Sequence, residues 1–275
     1  MDFLIIPWDV KPEIFSATVF GHVFAIRWYG LLFASGFVFG YYIIRKMFRN
    51  EGLPDELLDK LTVYTAIGTI LGARLGHCFF YEPQYYLGHP LEIIKIWKGG
   101  LASHGAAIGI LLALWLFGRN EKRTFLWTID RVVIVVALAG CLIRLGNLFN
   151  SEIYGVETTL PWGFVFLQAG ERVPKHPTQI YEALAYLITF FVLLRIYWKT
   201  KGKFTPGLTF GLFLIMVFTF RFFVEFVKEE QVSFEKGMSL NMGQLLSIPF
   251  VMAGIILLIS AYRKKKSAPL ATGKK

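Results

Sequence analysis

Long apolar runs constrain this chain more than any other feature of its sequence. Several of them extend for about 20 residues, the length that an α-helix needs to cross the hydrocarbon core of a bilayer. The 275 residues are 55% hydrophobic and their mean hydropathy is +0.52. The sequence therefore predicts a polytopic integral membrane protein of the all-α class and excludes an ordinary soluble domain.

Seven apolar segments predict a bundle of about seven transmembrane helices in a single membrane domain, residues 1–275. We place the spans at about 20–44, 60–80, 99–118, 127–149, 178–198, 206–227 and 243–262. The segment at about 150–177 is expected to form a small extracytoplasmic cap. The first residues, MDFLIIPWDV, contain neither a basic n-region nor a small-residue cleavage site, so no removable signal peptide is predicted.

Lysine and arginine are distributed unevenly between the two sets of predicted loops. Of the 29 residues, sixteen lie on the side of the C-terminus, seven lie on the side of the N-terminus and six lie within spans. Because positively charged loops remain in the cytoplasm, this places the N-terminus outside and the C-terminus inside. The net charge of +10 thus predicts membrane topology, and no binding to nucleic acid.

Polar residues within the predicted spans converge on one depth, toward the outer side. Ionisable groups inside a membrane are costly and mark functional sites. The set comprises Arg27, Tyr29, Arg74, His77, Ser103, His104, Arg144, Asn147, Gln179, Tyr181, Glu182, Arg221, Glu225 and Gln244. A single pair can be purely structural, but contributions from six or seven helices favour a charged, partly wet cavity. By contrast, Asp130 and Arg131 lie near the inner end of their span, where they can pair or extend to the interface.

An excess of arginine in such a cavity indicates an anionic ligand. Guanidinium binds phosphate oxygens in a two-pronged geometry and stays charged at any relevant pH. A phosphate at this depth, beside lipid, is most simply a phospholipid headgroup. In the stretch RLGNLFNSEIYG, residues 144–155, the side chains of Asn147 and Asn150 can bind headgroup hydroxyls. These residues predict an anionic-lipid site, but they do not name a reaction.

The sequence contains no HExxH, GxSxG, Walker A or paired-cysteine metal motif. Cys78 and Cys141 both lie in predicted spans, where small buried residues are the expected role. His77 does not naturally activate Cys78, because neighbours in a helix point about 100° apart. His104 follows a Gly-Gly break; it can take up a proton at neutral pH or simply bond at a helix start.

Two other functions use the same features less well. A transporter or flippase for an anionic lipid needs polar groups along a path to the cytoplasm, but the inner halves of spans 2, 3 and 6 are almost wholly apolar. An intramembrane protease needs an Asp dyad, a Ser–His pair or a zinc motif, and none of these is evident in the sequence.

Seven ordered blocks of the chain resemble the prolipoprotein diacylglyceryl transferases of bacteria. They are RWYGL at 27–31, GARLGH at 72–77, GGLASHGAAIG at 99–109, RLGNLFNSEIYG at 144–155, HPTQIYE at 176–182, RFFVEFVKE at 221–229 and MGQLLSIP at 242–249. The chain departs from the family pattern at His104-Gly105-Ala106-Ala107, where His-Gly-Gly-Leu is common. It departs again at Lys228-Glu229-Glu230-Gln231, where Arg-Glu-Pro-Asp is frequent.

The resemblance implies an enzyme of the bacterial cytoplasmic (inner) membrane. Members of the family move the sn-1,2-diacylglyceryl group from phosphatidylglycerol to a prolipoprotein and release glycerol 1-phosphate. The acceptor is the thiol of the lipobox cysteine, at the end of the prolipoprotein signal peptide. This is the first step of lipoprotein maturation, and it implies no cofactor.

The resemblance also implies roles for individual residues. Arg144 and Arg221 are expected to bind the phosphate, and Glu225 to orient Arg221. His104 is a candidate for proton abstraction or for organising the site, and Glu152 qualifies equally as the base. The remaining residues expected to bind or position substrate are Tyr29, Arg74, His77, Asn147 and Gly155.

Overall fold

The computed structural model describes residues 5–19, 22–229 and 238–267, and these residues are mostly helical. The α-helices are α1 (Trp28–Asn50), α2 (Asp55–Phe80), α3 (Pro83–Gly88), α4 (Ser103–Asn120), α5 (Phe125–Phe149), α6 (Thr178–Thr200), α7 (Leu208–Val224) and α8 (Met242–Ser267). The short strands are β1 (Ile6–Trp8), β2 (Glu13–Val19), β3 (His22–Arg27) and β4 (Phe164–Phe166).

Five helices in the described part of the chain are long and apolar enough to cross a membrane. They are α1, α5, α6, α8 and α7 together with the turn that follows it. This confirms the prediction of a helical, polytopic membrane protein. Helices α2 and α4 occupy the positions predicted for the second and third spans, but they are less apolar; α2 begins with Asp55 and Glu56.

The first helix begins later than predicted. We expected it from about residue 20, whereas α1 starts at Trp28 and a strand precedes it. Strands β2 and β3 pair antiparallel, with Ser16 opposite Ala25 and Ala17 opposite Phe24. Their sequences, EIFSATV and HVFAIR, are rich in β-branched and aromatic residues, which favour strands. Hydrophobicity alone does not distinguish such a strand from the start of a span.

The chain divides into two compact units, which we call the larger unit (residues 1–43 and 130–275) and the smaller unit (residues 44–129). In the larger unit, glycines bring helices together. A Cβ added to Gly36 of α1 would lie 3.3 Å from Ala139 of α5, and one added to Gly254 of α8 would lie 2.8 Å from the carbonyl of Gly211 in α7. Small residues permit such close helix packing within membranes.

The segment from residue 150 to 177 folds against the N-terminal residues of the larger unit. Strand β1 pairs in parallel with β4, with Pro7 opposite Val165. Behind this pair lies a hydrophobic core of Leu148, Phe164 and Phe166, against which Ile6, Trp8, Tyr154 and Ile180 pack. The core attaches the segment to the last turn of α5.

Asp130, at the point where the larger unit resumes, caps another helix. Its buried carboxylate accepts hydrogen bonds from the backbone N–H groups of Gly207 (2.5 Å) and Phe210 (2.8 Å) and from the hydroxyl of Thr209 (2.9 Å). A carboxylate at a helix N-terminus satisfies open N–H groups and complements the helix dipole. The sequence suggested pairing with Arg131 or contact with the interface, and did not predict this cap.

In the smaller unit, α2 and α4 pack along a glycine seam. A Cβ added to Gly68 would lie 2.6 Å from the carbonyl of Gly109, and one added to Gly76 would lie 2.7 Å from the Cα of Gly105. A Cβ added to Gly72 would also meet backbone atoms of both Gly105 and Gly109. The four-residue spacing of these glycines therefore serves helix packing.

Candidate active site

Five charged side chains of the larger unit form an alternating series, which we call the charge chain: Arg144, Glu182, Lys228, Glu225 and Arg221. Nε of Arg144 lies 3.2 Å from Oε2 of Glu182, and Oε1 of Glu182 lies 3.4 Å from Nζ of Lys228. The same Nζ lies 3.4 Å from Oε1 of Glu225, which lies 3.6 Å from Nε of Arg221. The two arginines selected from the sequence are thus connected through one lysine and two carboxylates.

Helical spacing explains how the charge chain forms. Arg221 and Glu225 are four residues apart, so both project from one face at the end of α7. Lys228 follows within the next turn and reaches the same carboxylate. Glu225 is also held by residues around the start of α8. The Nδ2 of Asn241, just before the helix, donates to its Oε2 (3.2 Å), and its carboxylate packs against Gly243. Glu225 therefore contacts Arg221, the residue that it is predicted to orient.

The middle of the charge chain is buried, and its two ends are more accessible. The side chains of Lys228 and Glu182 are 3% and 4% exposed, compared with 14% for Arg144 and 35% for Arg221. Buried charges are stable only when they are paired, so Lys228 and the two carboxylates depend on one another. Three cations and two carboxylates leave one positive charge, which suits an anionic ligand.

Within the charge chain, each arginine contacts its carboxylate through Nε. In the described part of the chain, the two terminal nitrogens of Arg221 make no hydrogen bond. Nη1 of Arg144 donates to Oδ1 of Asn147 at 3.3 Å. Arg221 thus keeps the donors of both terminal nitrogens, and Arg144 keeps part of its own, which two-pronged binding of a phosphate requires.

Glu152 is held in place by two amide side chains. The Nδ2 atoms of Asn147 and Asn150 both donate to its Oε1, at 2.8 and 3.1 Å. Its backbone carbonyl accepts a hydrogen bond from Nε2 of Gln179 at 2.7 Å. Tyr29 packs against the same end of α5, because a Cβ added to Gly146 would lie 2.8 Å from Cδ2 of its ring. The larger unit therefore brings together most of the residues that the resemblance selected.

A strained turn carries Glu152. Ser151 and Ile153, on either side of it, have φ values of 51° and 60°. Left-handed backbone is unfavourable for a β-branched residue, and such strain is concentrated at functional sites. The turn ends at Gly155, whose N–H donates to the carbonyl of His176 at 2.8 Å. A Cβ at Gly155 would clash with the carbonyl of Val227, so only glycine fits here.

In the smaller unit, Arg74 is bound to the backbone of its own unit. Its Nε donates to the carbonyl of Ile93 (2.8 Å), and Nη2 donates to that of Glu92 (2.6 Å). Nη1 bonds the carbonyls of Gly99 (2.6 Å) and Gly100 (3.2 Å). The guanidinium also lies over the ring of Tyr86, and the residue is 3% exposed. All three nitrogens of this arginine are thus used to hold the segment between α3 and α4.

The two histidines predicted in the smaller unit lie among aromatic rings. Nε2 of His77 is 3.7 Å from Oε1 of Glu82, and its ring stacks on Tyr81 with centroids 5.8 Å apart. His104 lies in the first turn of α4, and its ring centroid is 5.6 Å from that of Tyr81 and 5.7 Å from that of Phe80. Both imidazoles are therefore near Tyr81.

The sequence-based site omitted residues that the structure places within it. Glu182 was included in the polar set and Lys228 among the departures from the family pattern, but neither was assigned a role, and Tyr186 was not considered. The signal for Glu182 was its position near the start of a span, at the depth of the arginines. Gln179 Oε1 is a buried atom without a hydrogen-bond partner in the described residues, and Glu182 Oε2 has only its ion pair with Arg144. A buried acceptor left unsatisfied in this way is typical of a site that a ligand completes.

Within the residues that the structure describes, no group of three or more His, Cys, Asp or Glu side chains is placed to hold a metal ion. Both cysteines, Cys78 and Cys141, are buried thiols.

Comparison with known proteins gives a consistent result. A family model described as "Prolipoprotein diacylglyceryl transferase" matches residues 17–260. A protein of Tolumonas auensis is 51% identical over 242 residues, which cover 88% of this chain and 93% of that protein. A protein of Porphyromonas gingivalis is 48% identical over 273 residues, with 94% and 95% covered, and one of Chloroherpeton thalassium is 44% identical over 258 residues, with 94% of each covered. All three are named phosphatidylglycerol–prolipoprotein diacylglyceryl transferase.

Proposed function

The chain belongs to the prolipoprotein diacylglyceryl transferase family, and from this premise we propose how its residues perform the transfer. It is a membrane-bound transferase that moves the diacylglyceryl group of phosphatidylglycerol to prolipoproteins. In the proposed reaction the acceptor is the thiol of the lipobox cysteine, and the second product is glycerol 1-phosphate.

The observation that carries the assignment of the site is the charge chain. It holds Arg144 and Arg221 by one edge each and connects them through buried Lys228. Phosphatidylglycerol has a phosphodiester with a single negative charge, which matches the one positive charge that the chain leaves uncompensated. Arg144 and Arg221 bind this phosphate through their remaining donors.

The reaction is a displacement at the carbon of the diacylglyceryl group that is bonded to a phosphate oxygen. The thiol loses its proton, and the thiolate forms the carbon–sulfur bond while the carbon–oxygen bond breaks. The electron pair of that bond leaves with the glycerol phosphate, which changes from a diester with one charge to a monoester with a second. Arginines that already contact the phosphate stabilise this growing charge in the transition state.

Tyr29, Asn147 and Glu152 position the headgroup in this proposal. Gly155 permits the turn that carries Glu152, and Glu225 orients Arg221. Two groups qualify as the base, the carboxylate of Glu152 and the imidazole of His104. Comparing the pH–rate profiles of Glu152→Gln and His104→Gln distinguishes them, because replacing the base removes the acidic limb of the profile. Arg74 and His77 are secondary candidates for substrate contact.

The chain is a multi-pass membrane protein, and we place seven spans in it by adding α2 and α4 to the five more apolar helices. The excess of lysine and arginine in the loops on the C-terminal side supports a cytoplasmic C-terminus and an extracytoplasmic N-terminus. In this orientation the segment 150–177 forms an extracytoplasmic cap, and Arg144 lies on the side of the membrane to which lipoproteins are exported.

Mass spectrometry tests the proposed reaction. Purified protein is incubated with phosphatidylglycerol and a synthetic peptide that contains a lipobox. We expect the peptide to gain the mass of one diacylglyceryl group, and a peptide with serine in place of the cysteine to gain nothing. An unchanged cysteine peptide, in an assay where a related enzyme is active, would contradict the proposal.

A further inference from the structure

Tyr186 lies among the charged groups of the candidate site without a role in the reaction described so far. It follows Glu182 by four residues on α6, so the two side chains share one face of that helix. Its hydroxyl lies close enough to the guanidinium of Arg144 for a hydrogen bond, and the charged groups of Glu182 and Arg221 are also near it. Tyr186 and Arg221 also line one small cavity, together with Glu182, Ala185, Val217 and Phe220.

A glycine on the neighbouring helix accommodates the ring of Tyr186. A Cβ added to Gly140 of α5 would lie 2.7 Å from Cδ1 and 2.8 Å from Cε1 of this ring. Gly140 precedes Arg144 by four residues, so the glycine and the arginine share one face of α5. The ring therefore rests on the α5 backbone one turn before the arginine that its hydroxyl contacts.

The direction of the hydrogen bond leaves one proton of the site available. Arginine can only donate, so the hydroxyl oxygen of Tyr186 accepts from Arg144 and keeps its own O–H as a donor. The carboxylate one turn away does not use this donor: in the described residues Oε1 of Glu182 accepts from Lys228, and Oε2 pairs with Nε of Arg144. The O–H is thus free to bond an anion that Arg144 and Arg221 hold.

We propose that the Tyr186 hydroxyl donates a hydrogen bond to a phosphate oxygen of the bound headgroup and supports its departure. The inference rests on the proposed function, because it requires the phosphate to be bound by Arg144 and Arg221. When the carbon–oxygen bond breaks, the phosphate gains a second negative charge and becomes a stronger acceptor. The hydrogen bond is therefore stronger in the transition state than in the bound substrate, which raises kcat more than it lowers KM. No proton needs to be transferred.

The test is a kinetic comparison of wild-type protein with Tyr186→Phe, which removes one oxygen atom and keeps the ring on Gly140. We expect kcat for peptide modification to fall by about 10- to 100-fold, the usual effect of one hydrogen bond to a charged group. KM for phosphatidylglycerol should stay within about twofold of wild type. The matched control is Tyr197→Phe, the same change near the other end of α6, which should leave both constants unchanged.

The other outcomes separate the two proposals. Wild-type protein that transfers nothing would refute the proposed function and this inference with it. If the wild type is active and Tyr186→Phe has its full kcat, the inference alone is wrong. It is also wrong if KM rises and kcat does not change.

If Tyr186→Phe lowers the unfolding temperature, 3,5-difluorotyrosine at position 186 decides the question, because it keeps the shape of the ring and makes the phenol more acidic. The groups around this hydroxyl are Arg144 on α5, Glu182 on α6 and Arg221 on α7. A donor that must stay protonated predicts that the alkaline limb of the pH–rate profile moves to lower pH. An unmoved limb would overturn the inference.

Discussion

Arg74 and Arg144 are similar in sequence and differ in what the structure does with them. Each lies near the end of an apolar helix, and each has a polar residue three positions later, His77 or Asn147. Arg74 donates to four backbone carbonyls from all three of its nitrogens. Arg144 instead contacts side chains: Glu182 through Nε and Asn147 through Nη1.

The difference shows how a structural arginine can be distinguished from a functional one. A guanidinium has five N–H donors, and a binding site needs some of them left for the ligand. Arg74 has few donors left for a ligand. Its removal would leave backbone carbonyls in the segment between α3 and α4 without their hydrogen-bond donor. Arg144 and Arg221 are held mainly by carboxylates on one edge. Burial alone does not separate the two kinds, because Arg74 and Arg144 are both largely buried.

The largest expected effect follows from removing the arginines at the ends of the charge chain. Arg144→Ala and Arg221→Ala should each lower the transfer rate by about 1000-fold or more, because each removes a cation that stabilises charge on the leaving phosphate. Rates are measured by mass spectrometry of the lipobox peptide, and folding by the unfolding temperature in detergent. A folded variant with wild-type turnover would remove that arginine from the site.

The next effect concerns the lysine between the two carboxylates. Lys228→Met leaves the buried carboxylates of Glu182 and Glu225 without their shared cation, and should destabilise the protein by about 3 kcal/mol. Lys228→Arg keeps a cation at the same position and serves as the control. Unfolding temperatures of the two variants give the comparison. Equal stability of Lys228→Met and wild type would show that the charge chain is not a structural unit.

Parts of this molecule could be predicted from sequence because they depend on local chemistry. Apolar length identified the membrane class, and a four-residue spacing identified the contact between Arg221 and Glu225. In each case the partners are set by helical periodicity or by composition.

Other parts depend on contacts between residues distant in the chain, which periodicity does not reveal. Asp130 caps a helix that begins 78 residues later, at Leu208, and nothing near it in sequence indicates this. The same holds for the Lys228–Glu182 ion pair, whose members are 46 positions apart. The strand before Trp28 was missed for another reason, because its hydrophobic residues also fit a membrane span.

A smaller effect tests the other side of the comparison, the structural arginine. Arg74→Lys keeps the charge but offers its donors from one atom, which cannot reach all four carbonyls. We expect a loss of stability of about 1 to 3 kcal/mol and an unchanged turnover per folded molecule. Stability is read from the unfolding temperature, and turnover is normalised to folded protein. Lost turnover with retained stability would instead support the substrate contact that the sequence suggested.

The smallest effect concerns a half-buried group that is neutral, in contrast to the charged arginines. Nδ1 of His176 lies 3.2 Å from the hydroxyl of Tyr181, which accepts a hydrogen bond from Nε1 of Trp162 at 2.8 Å. Tryptophan only donates, so the Tyr181 O–H is left for a neutral imidazole. Burial lowers the pKa of His176 below its ordinary value.

This lowered pKa gives stability a defined dependence on pH. Above about pH 6.5 the imidazole is neutral whether the protein is folded or unfolded, and the contribution of His176 is complete. As pH falls below that value the unfolded chain binds a proton that the folded protein resists, so stability declines. Unfolding temperatures of wild type and His176→Asn should therefore diverge less at pH 5.5 than at pH 7.5. A difference that is constant across this range would show that the imidazole titrates alike in both states, and that Tyr181 does not require it to be neutral.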